Sequence, residues 1–517
     1  MSKPWIASMC RSLSLLLAAV LTCACEGPLA IEAGGEPDAV ASVERVREHV
    51  FFLADDAMRG RASGSPEYER AARYVESRLE DLDLAPLFAE SYRQPFFLER
   101  QVFGREGSIE WSGPEGPHRF QVLRDVMFMN VGQLPNGTGS FEVVYVGLGI
   151  HEPVVGWDDY AGLDLAGKCA LMVIDTPADL AADLPAELRQ SYADPSQGPR
   201  LKAEAAASFG APCLLGFPSP TAPALYEGVI TDPAGLEQVG TVDAGVGQGD
   251  ALPAAVAISA AVARRLLDGQ SSDPFPGGRP MGFDLVGQVR IDMDLEVHDQ
   301  LATTNLGALL PGTGPQRANE VIVLSAHLDG QGMRGRAVLN SANDNASSVA
   351  ALLEAARLLA GRPAQRSIAF LFTAAEEDGL LGAKHFLDHP PFEAERVELN
   401  VNLEMIGKPA RSGWRHRFRV TGRIDRRVDD LAQAVEKRAS GVTFDYAFRT
   451  DGDGGRHFRN ADHVHFFLRG IPTLYFYGGG EAYHQPDDDP ERLNYPKVAK
   501  MAGVLALLVQ ESDSWGS

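Results

Sequence analysis

The sequence predicts a mixed α/β fold. A mostly parallel central sheet carries helices on both faces and is interrupted by a small β-rich, α+β insertion. Three observations predict this. From residue 288 onward, apolar runs of strand length alternate with helical patterns, the mark of a helix-covered sheet. Between residues 105 and 287 the texture changes to strand-like runs separated by Gly- and Pro-rich loops. In the stretch 321–377, two successive apolar runs end in a histidine and in carboxylates. The carboxyl ends of strands in an open α/β sheet are where ligands gather.

Composition bounds what the chain can do. Its 517 residues are enough for more than one domain and a large core. A hydrophobic share of 45% and a charged share of 23% are those of a globular protein. The formal net charge of -23 would repel phosphates and argues against a nucleic-acid partner.

Taken in order, residues 1–25 read as an export signal. Lys3 and Arg11 precede the apolar run Leu13–Leu21, which is too short to span a bilayer. Cys25 after Ala24 resembles a bacterial lipoprotein cleavage site, with Thr22 where leucine is usual. The expectation is an exported chain, either secreted or a periplasmic or outer-membrane lipoprotein. It would touch a membrane only through a lipid on Cys25.

Residues 26–41 read as a linker, and 42–104 as the first part of the main domain. There Val43–Leu53 has helical spacing. A Gly/Ser turn follows, then an amphipathic helix from Pro66 to Leu82 whose apolar stripe is Tyr68, Ala71, Ala72, Val75 and Leu79. The insertion, 105–287, carries strand-like runs at Glu142–Val146, Cys169–Ile174, Cys213–Phe217 and Ala254–Ile258, with helical patterns at Arg200–Phe209 and Ser259–Leu267. Cys169 and Cys213 both fall in apolar runs, so one disulfide and two buried thiols both fit.

The main domain resumes over 288–517. Val289, Ile291, Met293, Leu295 and Val297 alternate with polar residues and predict a half-buried strand over 288–297. A second strand, TTNLGALLPG, ends in a turn. Then come strand Val321–Leu324, helix Ala346–Ala360, strand Ser367–Phe372, helix Gly379–Leu387 and strand Val397–Leu403. Strand Phe418–Thr421, helix Arg426–Arg438, strand Thr473–Tyr477 and helix Tyr495–Glu511 complete the chain.

The strand ends carry the chemistry. His327 ends the first strand of the stretch, Asp344 begins the next helix, Glu376 and Glu377 end the second strand and Glu404 the third; His484 comes from AYHQPDDDP. These nitrogen and oxygen donors are the ligand types of catalytic zinc, and one carboxylate can join two ions. Adjacent glutamates on an extended segment cannot point the same way. One ligates, Glu377, while Glu376 is left to act as general base. Asp329, two residues past His327, can accept the ring N–H and orient the ligand. Asp488, four residues past His484, is a candidate for a similar supporting role.

At this point the chain resembles a family, the exported zinc aminopeptidases with two co-catalytic metals, related to glutamate carboxypeptidase, glutaminyl cyclase and the transferrin receptor ectodomain. The motifs are AHLD, NDNASS, TAAEEDGLLGA, NLEMIG, NADHVHF, GIPTLYF and AYHQPDDDP, with TTNLGALLPG and the early MRGRASGSPEYERAARYVESRL. The resemblance implies a zinc-exopeptidase fold and two Zn2+ ions. His327 and Glu404 would serve the first, Glu377 and His484 the second, and Asp344 would bridge both. Many members have aspartate where Glu404 stands. Tyr483 would hydrogen-bond the oxyanion, Asp462 and His463 would lie near the substrate cleft, and a cis peptide is expected at Asp344–Asn345. The insertion resembles a protease-associated domain through EVVYVGLGI, GWDDYAGLDLAGKCALMV, FGAPCLLGF and LPAAVAIS.

The expected function is therefore an exported exopeptidase acting on peptides, foremost an aminopeptidase. Water held between the two metals would attack the first peptide bond, with Glu376 as base. The alternative is a carboxypeptidase or other amide hydrolase on the same site; a carboxypeptidase would need a basic pocket, for which Arg449, Arg456 and Arg459 are candidates. A receptor-like binding protein is the reading from another class.

Overall fold

The computed structural model describes residues 40–514, apart from 130–136, 178, 194–197, 220–229, 232–236, 242–252, 271–281, 335, 363, 409–415, 422–425, 447–460 and 480–482. The stretch read as an export signal, with Cys25, and most of the expected linker lie outside the described residues.

The N-terminal segment is helical because its signals agree. Helix α1 (Val43–Leu53) starts at Ser42, whose side chain accepts the Arg45 N–H. Helix α2 (Pro66–Glu80) starts at Ser65, with proline in its first turn and Glu67 and Glu69 at its positive end. Its predicted stripe, Tyr68 to Leu79, is buried in the main core.

Apart from two short two-stranded ribbons, the strands among the described residues fall in two sheets. In chain order they begin with β1 (Arg93–Phe103), β2 (Ser108–Gly113), β3 (Gly116–Gln121), β4 (Val126–Met129), β5 (Thr138–Tyr145) and β6 (Cys169–Val173). Helix α3 (Gly198–Ser208), β7 (Cys213–Phe217), β8 (Glu237–Thr241), β9 (Ala254–Ile258), α4 (Ala260–Leu267), β10 (Phe283–Asp292) and β11 (Leu295–Leu310) come next. Then come β12 (Val321–His327), α5 (Ser347–Leu359), β13 (Ser367–Thr373), α6 (Leu381–Asp388) and β14 (Val397–Glu404). The chain closes with β15 (Arg417–Thr421), α7 (Arg426–Arg438), β16 (Thr443–Asp445), α8 (His463–Leu468), β17 (Thr473–Tyr477) and α9 (Tyr495–Ser512).

The larger sheet runs β8-β1-β11-β13-β12-β14-β17-β15-β16, with a short strand, Ala85–Pro86, also paired to β11. It is mixed, as expected. Its inner neighbours β13, β12, β14 and β17 are parallel, and β11 and β1 join antiparallel on one side. The inner strands β12 and β13 are buried at every position, so they read as unbroken apolar runs rather than alternating ones. Helix α5 packs against α1 and α9 and is buried at every position from Ser347 to Leu359 except Arg357. Its alanines and serines allow that close approach.

The second sheet runs β3-β2-β10-β5-β6-β7-β9-β4 and has its own core around Trp111, Tyr145, Leu171 and Val256. Strands β5, β6, β7 and β9 are parallel. Cys169 and Cys213 face each other in register on β6 and β7 and are joined as a disulfide, with 4.7 Å between their Cα atoms. That spacing lies within the range a disulfide spans, and it decides between the two fates the sequence left open.

One predicted strand is corrected. The alternation over 288–297 is two strands, not one. Strand β10 ends at Asp292 in the second sheet, and β11 begins at Leu295 in the larger one. Asp294, with φ of 41°, turns the chain between them. The period of two carries through the turn, so the pattern alone does not show the break. TTNLGALL, read as a separate strand, is the second half of β11.

Candidate metal centre

The site lies at the carboxyl ends of the inner parallel strands. Register places His327, the last residue of β12, opposite Thr373, the last residue of β13. On its other side β14 ends in Glu404. Two turns then shape the donors. Ala375, just before the glutamate pair, has φ of 53°, and Met405, just after Glu404, has φ of 49°. His484 itself has φ of 53°. Left-handed backbone at non-glycine residues costs ~1–3 kcal/mol each and clusters at functional sites.

The side chains meet as two groups that share Asp344. Oxygen Oδ1 of Asp344 stands 3.3 Å from His327 Nε2, and its other oxygen, Oδ2, stands 3.3 Å from His484 Nε2. Glu404 Oε1 is 3.3 Å from His327 Nε2, and Glu377 Oε2 is 3.0 Å from His484 Nε2. Glu376 Oε2 also approaches His327 Nε2, at 3.8 Å. Among the described residues, His327, Glu376 and Glu404 form one group able to hold a metal ion, and Asp344, Glu377 and His484 the other. The peptide bond Asp344–Asn345 is cis, as the resemblance implied.

These residues fit zinc. Two donors on one tetrahedral zinc, with bonds of ~2.0–2.2 Å, stand about 3.3–3.6 Å apart, close to the separations above. Asp344 Oδ2, Glu377 Oε1 and Glu404 Oε2 are buried with no hydrogen-bond partner among the described residues. Buried oxygens in that condition cost ~1–3 kcal/mol each, more when charged, and call for a cation. The donor set is nitrogen and oxygen only, without thiolate, as in catalytic rather than structural zinc sites.

The electrostatics agree. Burial, with Glu404 and Glu377 nearby, pushes the Glu376 carboxyl well above the ordinary carboxylate range, against the pull of His327. Burial pushes Glu404 up to about 8. His484 rises to about 10, because Glu377 and Asp344 outweigh its burial. Four carboxylates, Asp344, Glu376, Glu377 and Glu404, thus crowd two imidazoles, an arrangement that favours positive charge between them.

Supporting groups hold the donors. Asp329 accepts the main-chain N–H of Glu376 at 3.3 Å and of Glu377 at 3.2 Å, pinning the glutamate turn. The bond expected from the His327 ring to this carboxylate goes elsewhere. Nδ1 is 3.2 Å from the Asp329 carbonyl oxygen and 3.6 Å from the carboxylate. The carboxylate is turned toward the two amides. Asp488 accepts the N–H groups of Asn343 and Asp344 and pairs with buried Lys408 at 2.6 Å.

Tyr483 stacks on His484, with ring centroids 3.7 Å apart. Asp462 is buried and accepts a hydrogen bond from Thr373 at the end of β13. Burial lifts its carboxyl to about 6. His463 beside it is fully buried and stacks on Tyr475, at 4.1 Å between ring centroids. Arg449, Arg456 and Arg459, the alternative basic pocket, lie outside the described residues.

Three further groups were not foreseen. The Gln331 amide donates to Glu377 Oε2 at 2.6 Å and stands 3.3 Å from His484 Nε2. Its place two residues past Asp329 on the same loop was the available signal. Arg61 and Ser63 reach the site from the N-terminal turn, and nothing local in MRGRASGS shows that contact.

The sequence matches peptidase family M28 over residues 305–509, a span holding every donor named above. The chain belongs to this family. Aminopeptidase YwaD of Bacillus subtilis is 26% identical over 258 residues, covering 46% of this chain and 53% of that protein. The M28 chain is 31% identical over 234 residues to the uncharacterized protein YfbL of Escherichia coli, covering 38% of this chain and 68% of YfbL. It spans only about half to three fifths of the length of the first curated relatives it matches. Among solved structures, the aminopeptidase from Aneurinibacillus sp. strain AM-1 superposes with a TM-score of 0.52 at 23% identity, over 91% of this chain and 93% of that one. That likeness is one of fold.

Proposed function

We propose that this M28 chain is a zinc-dependent exopeptidase, foremost an aminopeptidase, that removes the first residue of a peptide. The observation that carries the proposal is Asp344, whose two oxygens each face the histidine of a different donor group at 3.3 Å. A carboxylate so placed can join two cations, held by His327 and Glu404 on one side and by Glu377 and His484 on the other. Two zinc ions would polarise a carbonyl and acidify water at the site.

The chain's own residues do the rest. Glu376, in its carboxylate form, takes a proton from the attacking water and passes it to the leaving amine. Its neighbour Glu377 is turned to His484, so one turn serves two roles. The Tyr483 hydroxyl donates to the oxygen that gathers negative charge. Carboxylates around Glu404 attract the free amine of the substrate. The second sheet is read as a protease-associated domain flanking the cleft, and the chain as exported.

The test is a panel of aminoacyl-p-nitroanilides, each also in N-acetylated form, assayed on the zinc-supplied chain and on Glu376→Ala. Cleavage of the free-amine series alone, lost in the variant, is expected. Equal cleavage of both series overturns the aminopeptidase reading. Cleavage of neither, with zinc bound, moves the proposal to a carboxypeptidase. Cleavage of neither without bound zinc leaves the receptor-like binding protein.

A further inference from the structure

The N-terminal turn reaches further into the metal centre than its place in the chain suggests. Arg61 is fully buried, and its guanidinium meets main-chain carbonyls. Nε donates to Leu328 O at 2.8 Å. Nη1 donates to Asn340 O at 2.7 Å and Leu53 O at 3.2 Å, and Nη2 to Ser341 O at 2.7 Å. Leu328 lies between His327 and Asp329. Asn340 and Ser341 lead directly to Asp344. The planar fork therefore spans the two loops that deliver His327 and the shared carboxylate.

The same turn grips the third ligand loop. Ser63 Oγ accepts the N–H of Ala375, the residue before Glu376, at 2.7 Å. Gly60 O accepts the N–H of Gly332 at 3.1 Å. Gly60 has φ of 71°, and a Cβ there would stand 2.3 Å from Gly332 O and 2.4 Å from Leu339 O, so only glycine lets the turn lie this close. Burial works against the Arg61 charge, and Asp329, Asp344, Asp488 and Glu377 favour it.

We infer that Arg61, with the turn 60–63, is the positioning group that sets the spacing of the two donor groups, so that metal retention depends on a segment outside the matched span 305–509. Arg61 touches no ligand atom. It acts through the carbonyls of Leu328, Asn340 and Ser341. The inference rests on the metal-centre reading and adds to it which part of the chain holds the centre together. Supporting partners of this kind typically change metal affinity 10–100-fold when removed.

The test measures zinc affinity of the full chain by competition with a chromophoric chelator, beside the unfolding midpoint of the metal-free chain. Arg61→Met and Arg61→Lys are compared with Arg93→Met, which breaks the ion pairs of Arg93 with Glu69 and Glu76, none of them a donor of the site. Arg61→Met is expected to weaken zinc binding at least tenfold, and Arg61→Lys to restore little, since an ammonium cannot span both loops. Arg93→Met is expected to lower the midpoint while leaving zinc affinity unchanged. Should Arg61→Met not fold, Ser63→Ala, which removes only the acceptor for Ala375, is expected to weaken zinc binding severalfold. Wild-type affinity in the folded Arg61 variants, or in Ser63→Ala where they do not fold, overturns this inference alone. A wild-type chain that takes up no zinc overturns it together with the metal-centre reading.

Discussion

The two large sheets each contain a block of parallel strands, and the two blocks end differently. In the second sheet, β6 leads to Asp175 and β7 to Ser219. The Asp175 carboxylate accepts the Ser219 N–H and hydroxyl, each at 2.6 Å. Lys202, buried between α3 and the sheet, donates to Val173 O and Asp175 O. In the larger sheet the strand ends carry His327, Glu376, Glu377 and Glu404, and Asp344, Glu377 and Glu404 each keep a buried oxygen without a hydrogen-bond partner among the described residues. The lesson is that strand ends supply a place for a site, and the polar groups left over supply the need for a ligand.

The sharpest test of this contrast is Glu376→Gln. Turnover should fall about 10²–10⁴-fold, with both zinc ions retained, as measured by initial rates and metal analysis of one preparation. Loss of zinc in this variant would move Glu376 from base to ligand, which its 3.8 Å approach to His327 makes a real alternative.

Removing metal should act on one sheet only. Chelation should abolish activity and lower the unfolding midpoint, and zinc should restore both. A ligand at ~1,000 times its Kd stabilises the folded chain by about 4 kcal/mol. Hydrogen exchange should show the loss in the ends of β12, β13 and β14 and leave β6 and β7 protected. Equal loosening of both sheets would break the comparison.

The disulfide gives the converse. Cys169→Ser with Cys213→Ser should destabilise the second sheet by about 3–4 kcal/mol, for a closed loop of 44 residues, read by denaturant titration. Turnover by the larger sheet should be unchanged.

The smallest effect is one of pH. Burial lowers the Lys202 ammonium to about 7, against its ordinary 10.5. Between those values the folded chain binds fewer protons than the unfolded one, so stability rises with pH across that window. The cost of the buried charge is full below about 7. The slope is at most ~1.4 kcal/mol per pH unit. Lys202→Met should remove it, as seen by comparing unfolding midpoints of the two chains between pH 7 and 9.

Much of this was legible in the sequence, for reasons that differ by element. Helices α1 and α7 were read with their observed bounds because their apolar stripes and end signals are local. Strands β12 and β13 were read from apolar runs, and β14 from its place in the alternation of strands and helices, though each extends one to three residues further toward the site. The donors were readable because each sits at a strand end or helix start and belongs to one short list of residue types. Strand β1 was missed. Most of its pairing is with β11, some two hundred residues later, and no local pattern states that partnership.

The sequence by itself determined the fold class, the order of the elements and the residues that could ligate, because periodicity and residue chemistry are local properties of the chain. Only the tertiary structure decided that Asp344 turns one oxygen to each histidine. The same holds for the His327 ring, whose Nδ1 lies closer to the Asp329 carbonyl than to its carboxylate, for the stacking of His463 on Tyr475 and for the joining of Cys169 to Cys213. It alone brings Arg61 to loops more than two hundred and sixty residues away. Such outcomes depend on which strands lie side by side and which polar groups find partners first. That competition is settled across the whole molecule as it packs.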